Sequence, residues 1–185
     1  MLSLMSIPRR ALLKYGLGGA GLLTLGGVGL ALQGSVLRAP NAPLQALDPV
    51  EYSVLFAVAD RVCPGQGAHP AAHAIDVAGA VDALLATLDP ATTGEIKLLL
   101  RLLENALPGA LLDGRVRPFT ACSPEQQDAT LAAWQHSAIL VRRAGYKVLR
   151  ALCASTYYAD PRSFAGSGYP GPPDFSAALA AQEAG

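Results

Sequence analysis

An all-α bundle of about five helices, followed by an irregular aromatic tail, is the fold this sequence predicts. Three observations carry the prediction. Sustained two-residue alternation is nearly absent and aromatic residues make up only 6% of the chain, so strands have little to be built from. Cap-then-proline signals stand at Asp48-Pro49, Asp89-Pro90 and Ser123-Pro124, where an oxygen-bearing cap and a proline in the first turn open a helix. After each signal the apolar residues return every three or four positions, the period of a one-sided helix.

The chain begins with a segment that reads as no part of the bundle. Arg9-Arg10-Ala11-Leu12-Leu13-Lys14 is followed by no charge until Arg38. Arg9, Arg10, Leu12, Leu13 and Lys14, at the mouth of an uncharged run, resemble the signal of the bacterial twin-arginine export pathway. Pro8 and Leu12 stand where that signal usually has a hydroxyl residue and Phe. Gly16, Gly18, Gly19, Gly21, Gly26, Gly27 and Gly29 punctuate the run, each weakening a helix by about 1 kcal/mol against alanine. That suits a transient signal better than a permanent anchor. Tyr15 to Leu37 is nevertheless long enough to span a bilayer, for which about 20 residues suffice, and no clean small-x-small cleavage site precedes Pro40. Residues 1–38 are therefore read as a twin-arginine signal or an N-terminal anchor. The expected location is the periplasm, tethered to or associated with the inner membrane through that segment.

Residues 39–47, with Pro40, Asn41 and Pro43, read as a linker to a bundle over residues 48–159. The first helix takes Asp48 as cap, Pro49 in its first turn and Glu51 as the return position of a capping box. Leu47 staples that turn, and Val50, Val54, Leu55, Val58 and Val62 form its inner face. Cys63-Pro64-Gly65 ends it. After a loop over 64–75, Asp76 caps a short helix to Leu88 whose apolar residues are Val77, Val81, Leu84, Leu85 and Leu88. The third helix runs from Asp89-Pro90 to Leu107 and is apolar around most of its circumference, with Lys97, Arg101 and Glu104 as one narrow polar stripe. Such a helix needs cover on several sides, part of it from another subunit. Pro108 to Thr120 connects it to a last block from Ser123, with Gln126 closing a second capping box, to about Tyr158. That block is too long for one globular helix, which predicts a break near Ser137. Leu131, Trp134, Ala138, Val141, Gly145, Val148 and Leu152 form its expected packing seam, and Arg143, Lys147 and Arg150 a basic stripe near its C-terminus. Residues 160–185 read as an extended tail carrying Phe164, Tyr169 and Phe175.

Charge excludes one class of partner. The residues after Arg38 hold ten basic against fourteen acidic side chains, a net charge of −4, so no basic field exists for nucleic acid. Catalytic constellations are also missing. The sequence has no Ser-His-Asp order, nucleophile elbow, phosphate loop or haem-attachment motif, and no dinucleotide fingerprint between a strand and a helix. No catalytic, cofactor-binding or metal-ligating residue is assigned. Cys63, His69 and His73 carry the soft and imidazole donors that suit zinc, but their spacing matches no established site and Pro70 interrupts it. His136 stands alone near the helix break. Cys122 and Cys153 can bridge only if the last block folds back near Ser137. Tyr and Arg dominate protein interfaces, which makes Arg142, Arg143, Tyr157, Tyr158, Arg162, Tyr169 and Pro170, with Leu99 and Leu103 of the apolar third helix, the candidate partner surface.

Three stretches carry a family resemblance. They are Asp48-Pro49-Val50-Glu51-Tyr52 through Ala59-Asp60-Arg61-Val62-Cys63-Pro64-Gly65, Arg117-Pro118-Phe119-Thr120 with Ser123-Pro124-Glu125-Gln126-Gln127, and Tyr157-Tyr158-Ala159-Asp160-Pro161 with Gly168-Tyr169-Pro170-Gly171-Pro172. In this order behind a twin-arginine leader, they resemble the small subunit of membrane-associated gluconate 2-dehydrogenase and related flavin dehydrogenases. The pattern is also similar to the N-terminal helical region of some long-chain alcohol oxidases. The resemblance implies a small subunit that binds no cofactor itself. FAD sits in a large partner of the glucose-methanol-choline class, and a cytochrome c carrying haem often receives the electrons. It further implies that the small subunit escorts its partner through the twin-arginine translocase. The competing expectation is a stand-alone exported enzyme or metal-binding protein centred on Cys63, His69 and His73.

Overall fold

The computed structural model describes residues 34–106, 109, 112, 115 and 117–172. The candidate export residues Arg9, Arg10, Leu12, Leu13 and Lys14 lie outside the described residues, as does Phe175. The fold is all-α. Its helices are α1 (Pro49–Val62), α2 (Val77–Thr87), α3 (Pro90–Glu104), α4 (Pro124–Gln135), α5 (Leu140–Ala159) and a single turn, α6 (Phe164–Ser167). Short 3-10 turns at Ala72–Ile75, Phe119–Ala121 and Pro161–Ser163 join them. Among the described residues no strand occurs; Gln66 and His69 make one isolated bridge. No helix among those residues is long and apolar enough to cross a membrane.

Helix α1 is the centre of the bundle, touching α2, α3, α4 and α5. It starts where local chemistry puts it. Asp48 accepts from the Val50 and Glu51 amides at 2.9 and 2.8 Å while Glu51 accepts from the Asp48 amide at 2.9 Å, so two orphan ends of the helix are satisfied reciprocally. Ser123 and Gln126 form the same box on α4. Tyr52, Val54, Leu55 and Val58 of α1 enter a core shared with Val81, Leu85, Leu100, Leu103, Phe119, Leu149 and Cys153. Asp76 is the one described non-glycine residue in the left-handed region, with φ of 54°. It ends the 3-10 turn and at once caps α2 by accepting from the Gly79 amide.

Several expectations are corrected. Helix α3 stops at Glu104, short of Leu107: Asn105 turns to extended backbone with ψ of 124°, and Arg115 donates to the carbonyls of Leu103 and Asn105 at 2.7 and 3.1 Å, satisfying acceptors at the helix end. Glu104 is no solvated stripe residue: it is buried, accepting from the Thr120 amide, the Thr120 hydroxyl and the Ser35 hydroxyl. The break near Ser137 is observed, with α4 ending at Gln135 and α5 starting at Leu140. It resets the helical phase. Arg142, Gly145, Leu149, Cys153 and Tyr157 make the inner face of α5, while Ala138, Val141 and Val148 of the expected seam are exposed.

Both flanks of the bundle are more firmly built than a linker and an extended tail. The amides of Gln45, Ala46 and Leu47 donate to the Asp82 carboxylate at 2.7, 3.1 and 2.8 Å. Upstream, the Arg38 amide donates to the Ser53 hydroxyl and its guanidinium lies over Phe56. At the other end Ser163 is fully buried, and Arg162 donates to the Ile75 carbonyl at 3.0 Å. Bundle packing thus continues past residue 159.

Candidate functional site

Cys63, His69 and His73 serve three separate local purposes. The Cys63 amide donates to Ala59 and ends α1, and its side chain is buried. His73 pairs with Asp60, its Nδ1 2.9 Å from Oδ1 and its amide donating to the same oxygen at 3.0 Å, while its ring stacks on Phe56. His69 lies flat against Gly166, where a Cβ would come within 2.4 Å of Nδ1. Among the described residues no three His, Cys, Asp or Glu side chains gather to hold a metal. The competing expectation of a site made by these three residues is not met among the described residues: the proline-broken loop sends its two histidines to different partners. His136 closes α4 through its amide and is exposed.

The thiols are equally embedded. Cys63, Cys122 and Cys153 are all free and buried, so the Cys122–Cys153 bridge is not formed; the Cys122 thiol instead donates to the Pro118 carbonyl. Burial, with the nearby Cys63 adding to it, pushes the Cys153 thiol up to about 12. Burial also raises Cys63, although Arg150 acts in the opposite direction. Thiols held above their ordinary value are poor nucleophiles at neutral pH.

A concave feature with charged walls lies between α2 and α3. It is a shallow groove of about 560 Å³ lined by Leu85, Leu88, Thr93, Lys97, Leu98 and Arg101 among others. Both of its cations are already paired. Arg101 Nε donates to Glu51 Oε1 at 2.7 Å and its Nη2 to Asp48 at 3.0 Å. Lys97 Nζ sits 3.3 Å from Glu51 and donates to the Ala46 carbonyl. These groups lock α1, α3 and residue 46 together.

The candidate partner residues divide sharply. Leu103 is fully buried in the chain's own core, Leu99 packs on Gly145, and Tyr157 is buried with its hydroxyl donating to the Pro70 carbonyl at 2.8 Å. Arg142 is buried with its guanidinium 5.6 Å from the Trp134 ring. These four face inward, because the bundle needs their surface for itself. Arg143 is half-buried and donates to the Ser137 carbonyl. Arg162 forks onto Asp160, whose carboxyl it holds below its ordinary value through that hydrogen bond. Tyr158 stands edge-on to Tyr157 and exposed; Tyr169 packs edge-on to Phe164 and, with Pro170, remains at the surface.

Sequence reasoning placed Tyr158 on a partner surface but missed the rest of the exposed face of α5. Leu140 is 70% exposed and Val141 50%, and Val148 and Tyr158 also meet solvent. The expected seam runs correctly through Leu131, Trp134 and Gly145, which are buried, but also through Val141 and Val148, which belong to this exposed side. It also missed Asp82, which reads as an ordinary polar residue on a short helix.

Set against known proteins, the family model described as gluconate 2-dehydrogenase subunit 3 matches residues 49–171. The match opens at the first residue of α1 and closes beyond α6, so it takes in the whole bundle. No curated protein and no solved structure matches the chain.

Proposed function

Because the chain belongs to the gluconate 2-dehydrogenase subunit 3 family, we propose that it is the non-catalytic small subunit of an FAD-dependent alcohol or sugar dehydrogenase complex. In this reading it stabilises the large flavoprotein and escorts it through the twin-arginine translocase to the periplasm, where the complex associates with the inner membrane. The family match over the entire bundle is the observation that carries the proposal. Three features support the finer points. Arg9-Arg10 precedes the long uncharged run; the buried acids Glu51, Asp82 and Glu104 are all committed to holding helices and loops; and the cations Lys97 and Arg101 of the groove between α2 and α3 are paired with Glu51. FAD, and haem where a cytochrome c completes the complex, belongs to partner subunits.

Chemistry explains why such an escort would use this route. Flavin is inserted in the cytoplasm, so the loaded dehydrogenase crosses folded, and a partner without its own signal depends on one carried by a bound subunit. Replacing Arg9 and Arg10 by lysine in the full chain tests this. Flavoprotein activity should shift from the periplasmic to the cytoplasmic fraction. Undiminished periplasmic activity would overturn the escort role.

A further inference from the structure

Among the described residues, no other helix covers the outer face of α5. Leu140, Ala144, Val148, Ala151, Ser155 and Tyr158 are all exposed and follow one another at steps of four, four, three, four and three. That is the spacing of a seam that meets another helix. The inner face of the same helix, from Arg142 to Tyr157, is already filled. One twenty-residue helix is thus apolar on two sides, and among the described residues only one of them is covered.

Charge says what kind of surface would cover it. Helix α5 holds Arg142, Arg143, Lys147 and Arg150 and no acid, with Lys147 and Arg150 exposed along one border of the stripe. A second copy is a poor occupant, because antiparallel pairing of two such helices sets the basic border of one against that of the other. An anionic bilayer would be attracted by the charges, but Ala144, Ala151 and Ser155 offer it little apolar depth. Small residues between Leu140, Val148 and Tyr158 instead let a second helix approach closely, with the larger side chains as knobs on either side.

We propose that this α5 face is the docking surface for a helix of the dehydrogenase subunit, one with an apolar seam bordered by Asp or Glu. The inference rests on the accessory-subunit reading and adds to it the surface used and the chemistry of what it meets.

The test uses the full chain co-expressed with the dehydrogenase of its complex. A photo-crosslinking amino acid is placed at Ala144, Val148 or Ala151, with Thr87 at the exposed end of α2 as a control. The expected result is crosslinks from all three α5 positions, and none from Thr87, into an acid-bearing helical peptide of the dehydrogenase. Lys147→Glu with Arg150→Glu should lower the dehydrogenase recovered with the chain by about tenfold without changing its helicity, and acid-to-lysine changes in the crosslinked peptide should restore it. If the unmodified chain recovers the dehydrogenase while α5 crosslinks to lipid, to another copy, to the chain's own residues or to nothing, the α5 assignment fails and the accessory role stands. If the unmodified chain recovers no dehydrogenase, both fail.

Discussion

Arg101 Nε donates to Glu51 Oε1 at 2.7 Å, and Glu51 is only 1% exposed. One carboxylate thereby closes the capping box of α1, anchors α3 through Arg101 and holds Lys97 at 3.3 Å. Breaking a buried pair from one side costs about 3–5 kcal/mol because the remaining charges lose their partner; here Arg101 and Lys97 can reach water, so the lower figure applies. Glu51→Ala should lower unfolding stability by about 3 kcal/mol in urea titration. Glu51→Gln keeps an acceptor for the Asp48 amide and should cost about half as much.

Asp82 organises residues 45–47 by accepting from three successive amides. Asp82→Asn turns one side of that acceptor into a donor facing donors. A loss of about 2 kcal/mol is expected, together with protease cleavage within residues 38–47 under native conditions. Cleavage unchanged from the parent would mean that Leu44 and Leu47 hold the segment without help.

Gly145 sets how closely α5 approaches α3 and α4. A Cβ there would stand 2.9 Å from Leu99 Cδ2 and 3.2 Å from Trp134 Cζ3. The leucine methyl can swing away, and alanine gains about 1 kcal/mol of helix propensity over glycine. Gly145→Ala should therefore stay within about 1 kcal/mol of the parent, whereas Gly145→Val, which also presses on the indole, should lose about 2 kcal/mol.

Thiol reactivity should follow burial. At pH 8 the folded protein should release almost no colour from a thiol-specific disulfide reagent, because Cys153 is fully buried and pushed up to about 12 and burial raises Cys63 as well. Three equivalents should react in denaturant. Rapid reaction of one thiol in the folded state would contradict the described packing.

Asp160 gives the end of the bundle an acid limit. Its hydrogen bonds from Arg162 hold its carboxyl below the ordinary 3.8. A lowered value in the folded state means that the stabilisation is complete above the unfolded value and disappears as pH falls through the folded one. The Tm difference between the parent and Asp160→Asn should therefore be constant near neutrality and shrink toward zero as pH drops below 3.8.

The legible parts of this protein are those decided within a few residues. Asp48, Asp89 and Ser123 open α1, α3 and α4 because their side chains accept from amides two or three residues on, and the break near Ser137 follows from the length of the last block. Illegible parts depend on residues far apart in the chain. The inner face of α5 includes Arg142, so apolar periodicity, although it included Gly145, also led through Val141 and Val148, which face solvent. Leu103 and Tyr157 looked like partner contacts for the same reason: an apolar or aromatic residue looks alike whether its cover comes from its own chain or from another.

The amino-acid order by itself determined an all-helical chain, the helix starts and a family membership, since caps, prolines and family motifs are local patterns. Only tertiary structure decided that Glu51, Asp82 and Glu104 are buried ties, that Cys63, His69 and His73 stand apart, and which side of α5 is left uncovered. Those outcomes turn on how helices distant in sequence share a limited interior, where covering one face leaves another to solvent.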